Sequence, residues 1–299
     1  MKTIVLTNLS SSSSTNISAE LTSIFDRYGY EPPTILVGQS GDMGEMLTQM
    51  RAAKGDLLIA YGGDGTAAAV AAIAREQKVP FLALPGGTMN MLMHGLYGSD
   101  VWDTCLMSGL ACAKARPMAS GLVRDSQGQT GTFLVGAIFG QPTKMNEARE
   151  ELRNGQVMEA AKGAMGAMFA KAEASQLSIN APDHEFQDRR YDLINVTCPF
   201  MDGDALDPER LDVTLIETIS GGNAVSLGWS AIRGSLKQNN AVDGLKTASF
   251  NLRADKTIDA LLDGEPFVFE GEVTVTIDTH HNLVLAPWPA MSSHPPQDR

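Results

Sequence analysis

Basic side chains are scarce in this chain: 23 lysines and arginines stand against 35 aspartates and glutamates in 299 residues, a formal net charge of −12. That balance argues against duplex nucleic acid as a partner, because phosphate backbones are held by clustered Lys and Arg. It equally disfavours polybasic docking to anionic lipid. Cysteine is nearly absent too. Cys105, Cys112 and Cys198 are odd in number and form no CxxC pair, so buried thiols are expected rather than a disulfide framework. Long apolar runs are missing as well: the first, Thr3 to Thr7, stops at Asn8, too short for a signal-peptide core or a bilayer span. The chain therefore reads as soluble and cytoplasmic. The five histidines, His94, His184, His280, His281 and His294, show no metal-ligand spacing and read as surface or structural. What is present is 43% apolar content, enough to fill the cores of one large domain or two ordinary ones. Any phosphate site must be made locally, from backbone dipoles, metal and a few placed cations.

The first third alternates strand and helix patterns. Thr3 to Thr7 reads as a buried strand, and Leu21, Ile24, Phe25 and Tyr28 then recur on one helical face after a Ser18 cap. Thr34 to Val37 is a second strand, Met43, Met46, Leu47 and Met50 a second helix, and Leu57 to Tyr61 a third strand. Ala67 to Arg75 is a helix and Phe81 to Leu84 a fourth strand. This β-α-β-α order predicts a mostly parallel sheet covered on both faces, with ligands beyond the carboxyl ends of its strands. After about residue 120 the spans Thr132 to Phe139, Tyr191 to Thr197, Leu211 to Ile216, Ala248 to Leu252, Pro266 to Phe269, Val273 to Ile277 and Leu283 to Leu285 read as strands with few helices between them. They predict an antiparallel second domain, a β-sandwich. The expected division is 1–120 and 121–299, with the last residues able to return to the first domain. One helical stripe, Val157, Ala161, Met165, Met168, Phe169 and Ala172, is either core or a pliable wall against an acyl chain. Ser10 to Ser14 reads as a loop, and Ser292 to Arg299 as a disordered tail.

Three short segments carry chemistry. Leu57 to Tyr61 runs into Gly62-Gly63-Asp64-Gly65-Thr66, where the glycines let backbone N–H groups approach a ligand and the following helix offers a partial positive charge. Asp64 would repel a bare polyphosphate, so the turn makes sense as a phosphate site when a hard cation such as Mg²⁺ bridges the two; otherwise it is a plain strand-to-helix turn. A second glycine turn, Pro85-Gly86-Gly87-Thr88-Met89-Asn90, follows the fourth strand. Thr88 and Asn90 there could bind a ligand or cap the next helix. Late in the chain, Asp263-Gly264-Glu265 sets two acids on a tight turn. An alcohol attacking phosphorus must lose its proton, and Glu265 is the candidate general base.

In this order the three segments resemble the diacylglycerol kinase catalytic family, bacterial lipid kinases related to sphingosine kinases and, more remotely, to NAD kinases. The resemblance implies a NAD-kinase-like α/β domain followed by a β-sandwich, with ATP and Mg²⁺ as cofactors. It implies nucleotide contacts from Asn8, Gly62, Gly63, Asp64, Gly65, Thr66, Gly86, Gly87, Thr88 and Asn90, with Asp64 organising Mg²⁺ and phosphates and Glu265 accepting the lipid proton. The segment Ala205 to Val213 is similar to the family's Asp-rich turn into a strand, which implies Asp207 and Asp212 as ligands of a structural Mg²⁺. Two positions differ from the family pattern: Asn8-Leu9-Ser10-Ser11-Ser12 lacks its Pro and Gly, and Met91 stands where Asp is common. The partners expected are ATP, a lipid presented by a membrane that the chain meets peripherally, and optionally a second copy as a homodimer, with no nucleic acid. Two other readings stay open: a nucleotide- or lipid-binding regulator on the same scaffold, and a NAD kinase, whose second loop differs from the one here.

Overall fold

The computed structural model describes residues 1–9, 16–39, 42–88, 90–99, 101–112, 114–140, 176–182, 184, 189–199, 209–216 and 242–287. The helical stripe between residues 157 and 172, the serine run, Asp207 and the tail after residue 291 lie outside them. The chain divides into two compact units, Met1–Ala119 with His280–Arg299, and Ser120–Thr279.

In the first unit, β1 (Thr3–Asn8), α1 (Ser18–Arg27), β2 (Thr34–Gly38), α2 (Met43–Ala53), β3 (Leu57–Gly62), α3 (Asp64–Gln77), β4 (Phe81–Pro85), α4 (Met91–Tyr97) and α5 (Trp102–Leu110) follow one another. The strands lie side by side in the order β2-β1-β3-β4, all parallel, with Val5 opposite Ile35 and Ile59, and Tyr61 opposite Leu84. Strands β3 and β4 are buried along their whole length, which is why they read as unbroken apolar runs: helices cover the faces of a parallel sheet. Leu21 and Phe25 of α1 and Cys105 and Leu106 of α5 pack with Val5, Ile59, Tyr61, Leu82 and Leu84. α2 packs against β1 and β2, and α3 against β3 and β4. Phe25 is fully enclosed, its ring 5.7 Å from that of Tyr30. Phe25→Ala should therefore lower unfolding stability by about 3–5 kcal/mol, read as a shift in the urea midpoint.

Ser18 is not the cap of α1. The helix already includes it, Ile17 stands at the cap position without a side-chain bond, and Asn16 Oδ1 accepts the Ser18 N–H at 3.1 Å. α3 starts at Asp64, three residues before the expected Ala67. α4 was anticipated only as the helix that the second glycine turn leads into, and α5 not at all; at seven and nine residues they are too short to show a clear period. Among the described residues no helix is long and apolar enough to cross a membrane.

β5 (Arg116–Asp125) leads into the second unit, which contains β6 (Thr130–Phe133), β7 (Gly136–Gly140), β8 (Ser178–Asn180), β9 (Leu193–Thr197), β10 (Leu211–Ile216), β11 (Val242–Thr247), β12 (Ser249–Arg253), β13 (Ile258–Leu262) and β14 (Glu265–Phe269). β15 (Val273–Val284) runs back to the first unit, where Val284 pairs with Phe81 in parallel. A six-stranded sheet has the order β11-β10-β9-β7-β13-β14 and is antiparallel throughout. β12 pairs antiparallel with both β8 and β15, and β5 with β6. The fold class expected from sequence, an α/β domain with a mostly parallel sheet followed by an antiparallel β domain, is the one observed. The expected strand Thr132 to Phe139 is split in two, because the N–H groups of residues 134–136 turn to the Asp263 carboxylate instead of a neighbouring strand.

Candidate active site

Parallel strands end on the same edge of their sheet, so β1, β3 and β4 deliver Asn8, Gly62 and Pro85 side by side. The two glycine turns that follow β3 and β4 are in contact. Gly86 N–H donates to Gly62 O at 2.8 Å, and a Cβ on Gly87 would fall 2.5 Å from the Cα of Gly63. Backbone lies against backbone there, and any side chain on Gly87 would force the turns apart. Gly87→Ala should lower stability by about 1–3 kcal/mol in denaturant melts.

Asn90 braces the second turn. Its Oδ1 accepts from Gly87 N–H and its Nδ2 donates to Gly87 O, both at 2.9 Å, while its backbone takes the left-handed conformation at φ 46°. It stands at the cap position of α4 yet makes no side-chain cap bond. That capping is done by Asp64, whose carboxylate crosses to α4 and accepts from Met91 N–H at 3.1 Å and Leu92 N–H at 2.9 Å. Met91, where the family often has an acid, thus contributes through its amide. Asn8 Nδ2 donates to Thr66 Oγ1 at 2.9 Å and ties the end of β1 to the first turn of α3. Asp64, Gly65 and Thr66 open α3, where backbone N–H groups have no acceptor within the helix. The structure therefore gathers Asn8, Gly62 to Thr66 and Gly86, Gly87, Thr88 and Asn90 at one sheet edge.

Burial holds the Asp64 carboxyl above its ordinary range; the Leu92 and Met91 amides, the charge of His94 and its own N–H act in the opposite direction. Two carboxylate oxygens offer about four acceptor directions, so these amides do not exhaust Asp64. A partly desolvated carboxylate with acceptor capacity at the start of a helix suits Mg²⁺, which takes one or two protein carboxylates and draws its other ligands from phosphate and water. Among the described residues no group of three or more His, Cys, Asp or Glu is placed to hold a metal. His94, set aside in the sequence reading, is exposed one turn into α4 and acts electrostatically on Asp64. Only its spacing of four residues from Asn90 could have signalled this.

Glu265 and Asp212 belong to the second unit. Glu265 is exposed at the first position of β14, opposite Leu262. Asp263 and Gly264, at φ 48° and 83°, form the two-residue connection before it; positive φ at both central positions is the hallmark of a type I′ hairpin turn. Asp263 accepts from Leu134, Val135 and Gly136 N–H at 2.6, 2.9 and 3.0 Å. Asp212 lies on β10, with β9, β7 and β13 between its strand and β14. Four strand spacings separate the two strands by roughly 19 Å, so Asp212 does not join Glu265.

Residues 2–121 match the family model of the diacylglycerol kinase catalytic domain, a span that takes in both glycine turns and ends before Glu265. No curated protein matches the chain. Two solved structures of a provisionally assigned diacylglycerol kinase from Bacillus anthracis str. Sterne are similar to it, with TM-scores of 0.65 and 0.66 at 16% and 17% identity, each covering 95% of this chain and 97% of the other. A third, described as a diacylglycerol kinase from the same organism, gives a TM-score of 0.60 at 15% identity over 95% of this chain and 96% of its own. At these identities the likeness establishes the fold.

Proposed function

We propose that this chain, whose residues 2–121 match the family model of the diacylglycerol kinase catalytic domain, is an ATP- and Mg²⁺-dependent lipid kinase acting on a hydroxyl of diacylglycerol or a related glycerolipid. The observation that supports this most is the pair of abutting glycine turns with the Asp64 carboxylate beside them. The amides at the start of α3 and the Gly86-Gly87 turn would receive the phosphates. Asp64 would hold Mg²⁺, which when bound neutralises phosphate charge. Glu265 accepts the proton of the lipid hydroxyl as its oxygen bonds to the γ-phosphorus and the bond to ADP breaks. Such a substrate is met peripherally at a membrane surface.

The test is a screen of purified protein with ATP, Mg²⁺ and mixed micelles spanning many hydroxyl-bearing lipids, read by mass. A phosphorylated glycerolipid is the expected product. No phosphorylated lipid with any headgroup would count against the reading.

A further inference from the structure

Of the two acids on the late turn, we infer that Asp263 is a positioning residue that sets Glu265 for proton transfer, an inference that rests on the lipid-kinase reading above. Its carboxylate accepts the three successive N–H groups of Leu134, Val135 and Gly136, and its own N–H donates to Gly136 O at 2.9 Å. The corner it grips is itself fixed. Cys198 N–H donates to Val135 O at 2.9 Å, and the Cα of Gly136 sits so close to β9 that a Cβ would lie 2.7 Å from Val196 O. β13 joins the same corner through Leu262, which is paired with Ala137.

These bonds clamp the hairpin tip one residue before Gly264 and two before Glu265. They also explain how a non-glycine residue holds the left-handed backbone at the first turn position, a conformation that L side chains rarely adopt. Three of the roughly four acceptor directions of the Asp263 carboxylate are taken by these amides, whereas Glu265 stands exposed at the start of β14. The geometry thus divides the labour: Asp263 holds the turn and Glu265 meets the substrate.

A double-mutant cycle decides this, using Asp263→Asn, Glu265→Gln and the double variant, with kcat, KM for MgATP and melting temperature measured on each. Asp263→Asn should lower kcat roughly tenfold with KM unchanged, and should have no further effect once Glu265 is replaced, as expected of coupled groups. Asp263→Ser, which keeps one acceptor oxygen, replaces it in the cycle if the Asn variant does not fold. Losses that multiply in the double variant overturn the positioning role, as does a Glu265→Gln protein that keeps its activity while the Asp263 variant loses it. If the wild-type protein phosphorylates no lipid, the kinase reading fails and this role falls with it; with a wild type that turns over, multiplying losses overturn the positioning role alone.

Discussion

Glu265→Gln should lower kcat by about 10²- to 10⁴-fold, the range lost when a general base is removed, while KM for MgATP stays near the wild-type value. The substitution is nearly isosteric and the side chain is exposed, so the melting temperature should barely move; exposed substitutions of this kind shift stability by about 0.5 kcal/mol or less. The combination is diagnostic. A loss of activity accompanied by unfolding would point to a role in holding the β13–β14 hairpin, and unchanged kcat would remove Glu265 from the chemistry. Steady-state rates at saturating lipid, with thermal melts on the same preparations, distinguish the three.

Asp64→Ala should be nearly as severe, lowering kcat/KM by about a hundredfold or more, the scale on which electrostatic stabilisation of a transferring phosphoryl group is lost. Unlike Glu265→Gln it should also destabilise the protein. The Met91 and Leu92 amides lose their acceptor, and leaving a buried donor unsatisfied costs about 1–3 kcal/mol. Asp64→Asn separates the two effects: it keeps an acceptor for α4 while removing the charge, so it should fold and remain inactive. The pH dependence follows from the raised carboxyl. Between the ordinary carboxylate range and the higher value in the fold, the native protein binds the extra proton, so stability should fall as pH rises through that window. Urea midpoints of the ligand-free protein across mildly acidic pH should show this decline, and Asp64→Asn should flatten it.

The parallel layer was legible because burial on both faces leaves a plain sequence mark. Leu57 to Tyr61 and Phe81 to Leu84 are unbroken apolar runs, and each gains one residue in the fold. Leu211 to Ile216 is a strand with the expected bounds, since its buried and half-buried residues alternate at the start as a sheet requires. β15 was read as two strands because polar Thr279, His280, His281 and Asn282 interrupt its apolar pattern. β11, at the edge of its sheet, carries Asp243, Gly244 and Lys246 and was missed; edge strands need less apolar character and often bear charge.

At the site, the glycine spacing marked the two turns and the acids marked their candidates, but the partners of those acids were hidden. Asp64 bonds to amides 27 and 28 residues away, and Asp263 to amides 127 to 129 residues away. Such bonds depend on which loops the topology brings together, and they leave no periodicity to read. Asn90 shows the same limit: local pattern left ligand binding and capping equally open, and the fold uses its side chain to brace Gly87.

In the proposed function the turns after β3 and β4 would form a single phosphate cradle organised by Asp64. The most direct measurement is a crystal structure with Mg²⁺ and a non-hydrolysable ATP analogue. The triphosphate is expected against the amides that open α3 and the Gly86-Gly87 turn, with Mg²⁺ on the Asp64 carboxylate. Phosphates bound elsewhere, with Asp64 remote from any metal, would contradict it.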